Sequence, residues 1–227
     1  MKKILLFLSM TLVIMLSSCS DDAEESNITI ENPAMEMVAG DSKEIIAKSL
    51  SALSYVAEDE YYASVDNHGM VKANRIGETK IFVENEHNSV EVSVVIKPKY
   101  TTYADPDLAF GETRTDVVAK YGTPASNTNE SVTYDDYSIG APTITYTFDG
   151  KDDNSKLIGI GILVRTSYTE ELNAYLSERF AMTKVSGENT SIGTNNLDPS
   201  KATVAVSVSV YDPNYLRVAY YVPSEAK

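Results

Sequence analysis

The sequence contains no tryptophan, one cysteine and two histidines in 227 residues. A single thiol excludes an intramolecular disulfide and a thiolate metal cluster. His68 and His87 lie far apart and show no metal-ligand spacing, so we expect no metal site and no histidine-based catalysis. Neither a Gly-x-Ser-x-Gly nucleophile motif nor a phosphate-binding loop occurs. We therefore predict a protein that is not an enzyme and that needs no cofactor.

Basic residues are also scarce. Lysine and arginine together number 19, against 33 aspartates and glutamates, which gives a net charge of -14. A chain of this charge repels phosphate backbones, and no lysine or arginine cluster offsets the repulsion. Nucleic-acid binding is therefore not expected. The acidity itself is typical of a protein kept soluble in an ion-containing medium.

One apolar run, residues 4–16, follows Lys2 and Lys3 and precedes Ser17, Ser18 and Cys19. Its length suits a signal peptide and is too short to span a bilayer comfortably. The leucine, two small residues and cysteine at its end resemble the lipobox of bacterial lipoproteins. The resemblance implies that residues 1–18 are a signal peptide and that the thiol of Cys19 is diacylated and becomes the mature N-terminus. We expect a lipid-anchored protein of the outer membrane.

Residues 19–27 form an acidic tether, because four acids in eight residues have no apolar partner with which to fold. The segment also resembles the acidic export signal of bacterial lipoproteins that reach the outside of the outer membrane. This resemblance implies display at the cell surface. The alternative is a plain solvated linker.

Residues 28–98 alternate short apolar runs with turn signals, a pattern typical of a β-sandwich. Every second position is aliphatic near the end of the stretch, at Val90, Val92, Val94 and Ile96. Gly69 closes a predicted turn in which a positive φ is expected. The first domain is therefore predicted to be all β.

Three segments of this stretch resemble the bacterial immunoglobulin-like group 2 family: residues 38–41, 63–73 and 77–81. The tryptophan usual in that family's core is absent, and we expect Tyr55 or Tyr61 in its place. The resemblance implies an immunoglobulin-like β-sandwich of the kind common in surface and adhesion proteins, often acting as a spacer. It implies no catalytic residues.

Residues 99–227 predict a two-layer α+β domain, an antiparallel sheet with two helices on one side. The predicted order is α-β-β-β-α-β-β-β, which suggests an internal duplication. Thr113 and Asp116 have the spacing of a helix cap, and Gly122 is expected to end that helix. A second helix is predicted to begin near Ser167, with a capping box to Glu170. The whole chain is thus predicted to be mostly β.

The spacing of Gly111, Thr113, Val117, Gly122 and Pro124 resembles the helix-to-strand signature of the β-lactamase-inhibitor-protein-like fold. That fold also occurs in small lipoproteins of outer-membrane assembly machinery. The resemblance implies protein binding through an open sheet face. The second half of the domain lacks the closing Gly-x-Pro, and the tryptophan common in that fold's strands is missing.

The strand pattern independently predicts such a face. One side of the predicted strands is aliphatic and is expected to meet the helices, with Ile158 and Val210 among its residues. The opposite side is small and polar. We predict it to be the binding surface, with Thr143, Thr145, Thr147, Ser207, Ser209, Arg217 and Tyr221 as its candidate residues. A solvated outer face of an antiparallel sheet gives the same pattern.

Two further clusters carry polar or aromatic side chains. Asp149, Asp152, Asp153 and Asn154 offer oxygen ligands but match no calcium-loop pattern, so we interpret them as a solvated hairpin turn. Tyrosines 134, 137, 211, 215 and 221 form a candidate platform for sugar rings or a protein, unless they serve core packing. No pair of carboxylates is singled out for sugar hydrolysis.

The resulting hypothesis is an outer-membrane or surface lipoprotein, held in the membrane by the lipid on Cys19, that acts as a non-catalytic interaction or adhesion module. Its partner is an unknown protein or glycan. Two alternatives stay open: a glycan-binding accessory protein of a nutrient-uptake system, and an enzyme inhibitor or outer-membrane assembly factor. Coplanar exposed tyrosines would favour a glycan, and a bare sheet would favour a protein.

Overall fold

The computed structural model describes residues 27–186 and 189–223. The described chain is mostly β and contains two α-helices, as predicted. The predicted signal peptide, the site of lipidation at Cys19 and the tether up to residue 26 lie outside the described residues.

The first nine strands are β1 (Thr29–Ile30), β2 (Ala34–Val38), β3 (Ser42–Glu44), β4 (Ala47–Lys48), β5 (Ser54–Ala57), β6 (Ala63–Val65), β7 (Met70–Ala73), β8 (Gly77–Glu84) and β9 (Ser89–Lys97). The remaining elements are α1 (Arg114–Tyr121), β10 (Ser126–Asn127), β11 (Ser131–Asp135), β12 (Thr143–Phe148), β13 (Leu157–Arg165), a 3₁₀ turn (Thr166–Tyr168), α2 (Thr169–Ser177), β14 (Ala181–Lys184), β15 (Thr190–Thr194), a 3₁₀ turn (Pro199–Lys201), β16 (Ala205–Asp212) and β17 (Tyr215–Tyr221).

The first nine strands form a β-sandwich. One sheet has the order β2-β9-β8-β5, the other has the order β3-β7-β6, and β1 pairs with β4. The predicted alternation is confirmed, because Val92, Val94 and Ile96 are buried together with Ile81 and Val83 of β8. Strands β2 and β9 run parallel, with Ala34 opposite Ser93 and Val38 opposite Lys97.

The two tyrosines expected near the sandwich core have different environments. Tyr55 packs against the core and contacts the position where Gly69 would carry a Cβ. Gly69 has φ +81°, as its predicted turn requires. Tyr61 instead turns outward to the second half of the chain, where its hydroxyl donates to the carbonyl oxygen of Arg179 at 2.5 Å.

The last eight strands form one antiparallel sheet with the order β10-β11-β12-β13-β17-β16-β15-β14. Each half is a helix followed by four strands, and the final strands of the two halves, β13 and β17, pair at the centre. This mirrored order agrees with the suggested duplication. Leu172, Tyr175 and Leu176 of α2 and Val117 of α1 share one hydrophobic core with the sheet.

The predicted strand order was incomplete. Each helix is followed by four strands and not three, because β10 and β15 were not predicted. Strand β10 has only two residues, both exposed, and β15 reads Thr-Ser-Ile-Gly-Thr. Neither segment shows the apolar alternation on which the prediction relied.

The two helix starts had different outcomes. The cap of α1 is confirmed, since the Thr113 side chain accepts from the Asp116 N–H and the Asp116 carboxylate accepts from the Thr113 N–H. Gly122 ends the helix with φ +82°. The capping box predicted at Ser167 was wrong. A 3₁₀ turn occupies residues 166–168, and α2 begins after Tyr168 without a side-chain cap.

Glu178 and Arg179, just after α2, join the second half to the connecting segment through their side chains and to the sandwich through their carbonyl oxygens. The Glu178 carboxylate accepts hydrogen bonds from the backbone N–H groups of Lys99 and Tyr100, at 2.9 and 3.2 Å. Its carbonyl oxygen accepts from the N–H of Ile76 at 2.8 Å. The guanidinium of Arg179 binds Asp105 and lies 3.7 Å from the Tyr175 ring centroid. These contacts hold the connecting segment against the end of α2.

Candidate functional site

The side of the eight-stranded sheet that faces away from the helices carries no covering element among the described residues. We call this side the open face. Strand register places on it Ser126, Ser131, Thr133, Asp135, Thr143, Thr145, Thr147, Gly159, Gly161, Leu163, Arg165, Ala181, Thr183, Thr190, Ile192, Thr194, Ala205, Ser207, Ser209, Asp212, Tyr215, Arg217, Ala219 and Tyr221.

All seven predicted binding residues lie on the open face. Register aligns them in three rows across the central strands. Thr145 faces Gly161, then Ala219 and Ser207; Thr147 faces Gly159, then Tyr221; and Leu163 separates Thr143 from Arg217, which faces Ser209. Their neighbours in sequence point to the core, where Ile144, Ile162, Val206 and Val218 are buried. The alternation therefore places all seven residues together on one side of the sheet.

Two aliphatic residues predicted on the helix side are exposed instead. The register shifts between Thr147 and Phe148, so Leu157 takes the inward position and Ile158 is left outside the ladder at 48% exposure. Val210 keeps its pairing with Leu216 on the helix side, but it lies near the end of β16, before a second shift, and is 57% exposed. A bulge adds one residue to one strand and re-aims its side chains, which period-two alternation does not anticipate.

The centre of the open face is nearly flat because small residues meet there. A Cβ added to Gly161 would lie 3.9 Å from the Nε of Arg217, so the arginine side chain lies beside the bare backbone. A Cβ added to Gly159 would have only ordinary contacts, to Thr147 and the Tyr220 carbonyl oxygen. The hydroxyls of Thr133 and Thr145 hydrogen bond at 3.0 Å. The surface thus offers hydroxyl groups and bare backbone, bordered by the larger side chains of Leu163, Arg217 and Tyr221.

The five-tyrosine platform is not assembled. Tyr134 and Tyr137 lie on the helix side, where Tyr134 packs edge-on to Tyr146 and Tyr137 packs against Tyr103. Burial raises the pKa of Tyr137 to about 12. Tyr215 and Tyr221 lie on the open face at opposite ends of β17, and Tyr211 is 59% exposed beside the second bulge. These rings do not form one coplanar surface.

A groove of about 550 Å³ lies at one end of the open face and was missed by sequence reasoning. It is lined by Asp136, Ser138, Ile139, Pro142, Arg165 and Tyr168. The Ile139 side chain is 86% exposed, and its carbonyl oxygen accepts from the Arg165 Nε at 3.1 Å. The signal that could have found it is the alternation of β13, which places Arg165 on the polar side with Gly161 and Leu163.

Carboxylates of the acidic hairpin accept hydrogen bonds from groups of the same hairpin. In the hairpin before β13, the Asp149 carboxylate accepts from the Lys156 N–H, and Asp152 accepts from the Asn154 N–H and the Ser155 hydroxyl. Within residues 27–186 and 189–223, no three His, Cys, Asp or Glu side chains are grouped to hold a metal ion. No helix in those ranges is long and apolar enough to cross a membrane.

No protein-family model matches the chain, and no curated protein matches it. Among solved structures, an intimin mutant of EHEC O157:H7 is 16% identical with a TM-score of 0.29; the match covers 44% of this chain and 61% of the intimin chain. Domains 5–6 of the S-layer protein SbsC are 14% identical with a TM-score of 0.28, covering 88% of this chain and 85% of that one.

A third structure is the Bacteroides ovatus protein SGBP-B of a mixed-linkage glucan utilization locus, in complex with a mixed-linkage heptasaccharide. It is 12% identical with a TM-score of 0.27, and the match covers 87% of this chain and 62% of that one. At such TM-scores the similarities do not establish a shared arrangement of the whole chain. The function of this protein has to be inferred from its own residues.

Proposed function

We propose that this chain is a non-catalytic interaction protein and that the open face is where it binds a protein partner. The observation that supports the proposal is an eight-stranded sheet with one side packed on helices. The other side is not covered by any described element and is lined mainly by Thr, Ser, Gly and Ala. A solvated antiparallel face commonly carries charged residues, since water is their best surrounding. This face has few of them, although the chain contains 33 acids.

A protein partner suits this surface better than a glycan does. Sugar rings are commonly held by stacking on exposed aromatic rings, whose apolar faces match the sugar's C–H groups. Tyr134 and Tyr137 are packed on the helix side, and Tyr215 and Tyr221 are separated by the length of β17. The flat centre instead allows another polypeptide to approach the backbone at Gly159 and Gly161.

The test is site-specific crosslinking on intact cells that make the full chain. A photoreactive phenylalanine analogue replaces Thr145 on the open face or, as a control, Lys43 on the sandwich. We expect a protein adduct from position 145 that is absent from position 43, and that is suppressed when Ser207→Arg adds bulk nearby. Equal adducts from both positions, or none from position 145, would contradict the proposed surface.

We further propose that the lipid on Cys19 holds the protein in the outer membrane with its folded part at the cell surface. Support comes from the lipobox-like residues 16–19 and from the acidic segment that follows. More than one acyl chain makes such attachment stable. Cys19→Ala is expected to shift the protein from the membrane fraction to a soluble fraction, while Cys19→Ala with a fused transmembrane helix restores it. Unchanged fractionation of Cys19→Ala would refute the anchor.

A further inference from the structure

The chain has five arginines, and three of them are fixed in the fold. Arg114 is buried and donates to four oxygens of two turns. Arg179 binds Asp105 and packs on Tyr175. Arg75 lies 4.7 Å from the Tyr61 ring centroid and donates to the Tyr61 carbonyl oxygen. The other two arginines, Arg165 and Arg217, are exposed and both lie on the open face.

Arg165 and Arg217 lie on the two central strands in diagonal positions. Arg165 is opposite Tyr215, and Arg217 is opposite Leu163. The two arginines are therefore two residues out of register on adjacent strands, on the same side of the sheet. Diagonal neighbours on one face of an antiparallel pair have Cα atoms about 7 to 8 Å apart. Two guanidinium groups at this spacing can bind neighbouring carboxylates of a single ligand.

Neither guanidinium is neutralised by a carboxylate within the described part of the chain. The Arg165 Nε donates to the Ile139 carbonyl oxygen, and its guanidinium carbon lies 6.0 Å from the Tyr215 ring centroid. The Arg217 Nε lies over Gly161. The terminal nitrogens of both side chains therefore have their donors available to a ligand.

The surrounding acids are few and peripheral. Asp135 and Asp212 are the carboxylates among the described open-face residues. Thr143 and Leu163 separate Asp135 from Arg217, and Asp212 pairs with Tyr215. Asp136 lines the groove at the end of β13. The Asp212 carboxylate is occupied by the N–H groups of Asn214 and Tyr215. A strongly acidic chain thus presents two guanidinium groups, side by side and without a carboxylate partner among the described residues, on the side that no described element covers.

We propose that the occupant of the open face is an acidic polypeptide segment whose carboxylates bind Arg165 and Arg217; this rests on the proposed function of that face. Guanidinium groups bind carboxylates through paired, planar hydrogen bonds. A net charge of -14 repels acidic polymers in general. Because that repulsion is screened beyond about 8 Å at physiological salt, a carboxylate must come close to the two arginines to be attracted.

The experiment measures fluorescence anisotropy of a fluorescein-labelled ten-residue glutamate peptide with the full chain at about 150 mM salt. Arg165→Gln with Arg217→Gln is compared with Lys43→Gln with Lys72→Gln. The control pair is exposed on the sandwich and removes the same charge. We expect the arginine pair to weaken binding by about tenfold, since exposed ion pairs contribute modestly, and the lysine pair to leave it nearly unchanged. Arg165→Lys with Arg217→Lys is expected to restore only part of the affinity.

The proposal is overturned if a ten-residue glutamine peptide binds as tightly, if both double variants lose affinity equally, or if hyaluronate binds as tightly as the glutamate peptide. The last result would assign the face to an acidic glycan. Failure here is distinguishable from failure of the proposed function. A crosslink from position 145 that persists in the arginine double variant would keep the face as a protein-binding surface without acid selectivity. If position 145 gives no crosslink in the protein with both arginines intact, the open face is rejected as a protein-binding surface.

Discussion

At the scale of single residues, Arg114 holds two turns together. Its NH1 donates to the Asn127 side chain and the Thr128 carbonyl oxygen at 2.9 and 3.0 Å. Its NH2 donates to the carbonyl oxygens of Asn129 and Gly150 at 2.7 and 3.3 Å. The guanidinium carbon also lies 4.7 Å from the Phe148 ring centroid. One buried side chain therefore satisfies carbonyl groups before β11 and after β12.

Arg114→Met is expected to lower the free energy of unfolding by about 3 kcal/mol, because it leaves those oxygens without their charged donor. Urea unfolding followed by tyrosine fluorescence measures the change. The exposed Arg217→Met is the matched control and is expected to stay within about 0.5 kcal/mol of the wild type. Equal losses in the two variants would contradict the role of Arg114.

A second residue-scale feature is a buried group of tyrosines. The hydroxyls of Tyr103 and Tyr220 are 2.7 Å apart, and Tyr175 donates to Asp105 at 2.5 Å. Burial raises the pKa of each of these three phenols. The folded state therefore disfavours their ionised form, whereas in the unfolded chain they ionise near pH 10.

The contribution of these tyrosines to stability is complete below about pH 10 and is lost as the pH rises above it. We expect absorbance at 295 nm to show the exposed phenols ionising first, with the buried group ionising only as the chain unfolds. In concentrated guanidinium chloride all 15 tyrosines should titrate together. A single titration near pH 10 in the native protein would exclude the buried group.

At the scale of elements, the start of α1 depends on the ionised form of Asp116. Its carboxylate accepts from the Thr113 hydroxyl and the Thr113 N–H, and these hydrogen bonds lower its pKa. A lowered pKa means that stabilisation is present above the unfolded-state value near 3.9 and is lost as the pH falls through the folded value.

Asp116→Asn is therefore expected to be less stable than the wild type at pH 7 and to approach it as the pH falls below about 4. Urea midpoints between pH 2.5 and pH 7 measure the difference. Asp135→Asn, at the exposed end of β11, serves as control and should not reproduce that pH dependence. If the difference in urea midpoint between Asp116→Asn and the wild type does not change with pH, the charge of Asp116 does not contribute to the stability of the cap.

The elements with strong alternation were predictable from sequence, and those fixed by their neighbours were not. Thr143, Thr145 and Thr147 alternate with Ile144, Tyr146 and Phe148, so the residues themselves indicate which side of β12 is polar. Strand β15 has one aliphatic residue, Ile192, and forms because β16 supplies a ladder partner. The bulge at Ile158 reverses the exposure that alternation predicts, and Val210 is exposed on the predicted side because it lies near the end of β16.

The candidate site was likewise predictable where strand alternation determines it and not predictable where loops and neighbouring elements determine it. Its seven residues share one face because register follows alternation. The groove with Ile139 depends on a loop whose path is set by the hydrogen bond from the Arg165 N–H to the Gly140 carbonyl oxygen. The sequence near these two residues contains no motif that predicts this contact. The positions of Tyr134 and Tyr137 depend on which side of the sheet the helices cover.

At the scale of the whole molecule, Glu178 joins the sandwich, the connecting segment and α2. Glu178→Ala removes the acceptor of the Lys99 and Tyr100 N–H groups. We expect the segment after Pro98 to become cleavable by protease at low concentration and the solution-scattering maximum dimension to increase. The exposed Glu170→Ala, in the first turn of α2, should change neither quantity. Unchanged proteolysis in Glu178→Ala would show that the other contacts suffice.

The boundary near residue 98 stays a prediction. Residues 28–96 and residues 103–220 supply separate hydrophobic cores, which favours independent folding. A fragment of residues 99–227 is expected to unfold cooperatively in urea, with some loss of stability because the contact of Tyr61 with Arg179 is gone. If the fragment unfolds gradually with urea and shows no folded baseline, a domain boundary near residue 98 is refuted.

The parallel pairing of β2 with β9 has a mechanical consequence. The two strands lie side by side from Ala34 opposite Ser93 to Val38 opposite Lys97. Strand β9 carries the chain out of the sandwich, and β2 follows the short β1–β4 pair by which the chain enters it. Tension between the segment before Ala34 and the segment after Lys97 pulls them along their length in opposite directions. Their hydrogen bonds are then sheared together and not opened one at a time. Once the short β1–β4 pair is loaded, we expect the β2–β9 ladder to resist a pull between the two ends of the sandwich.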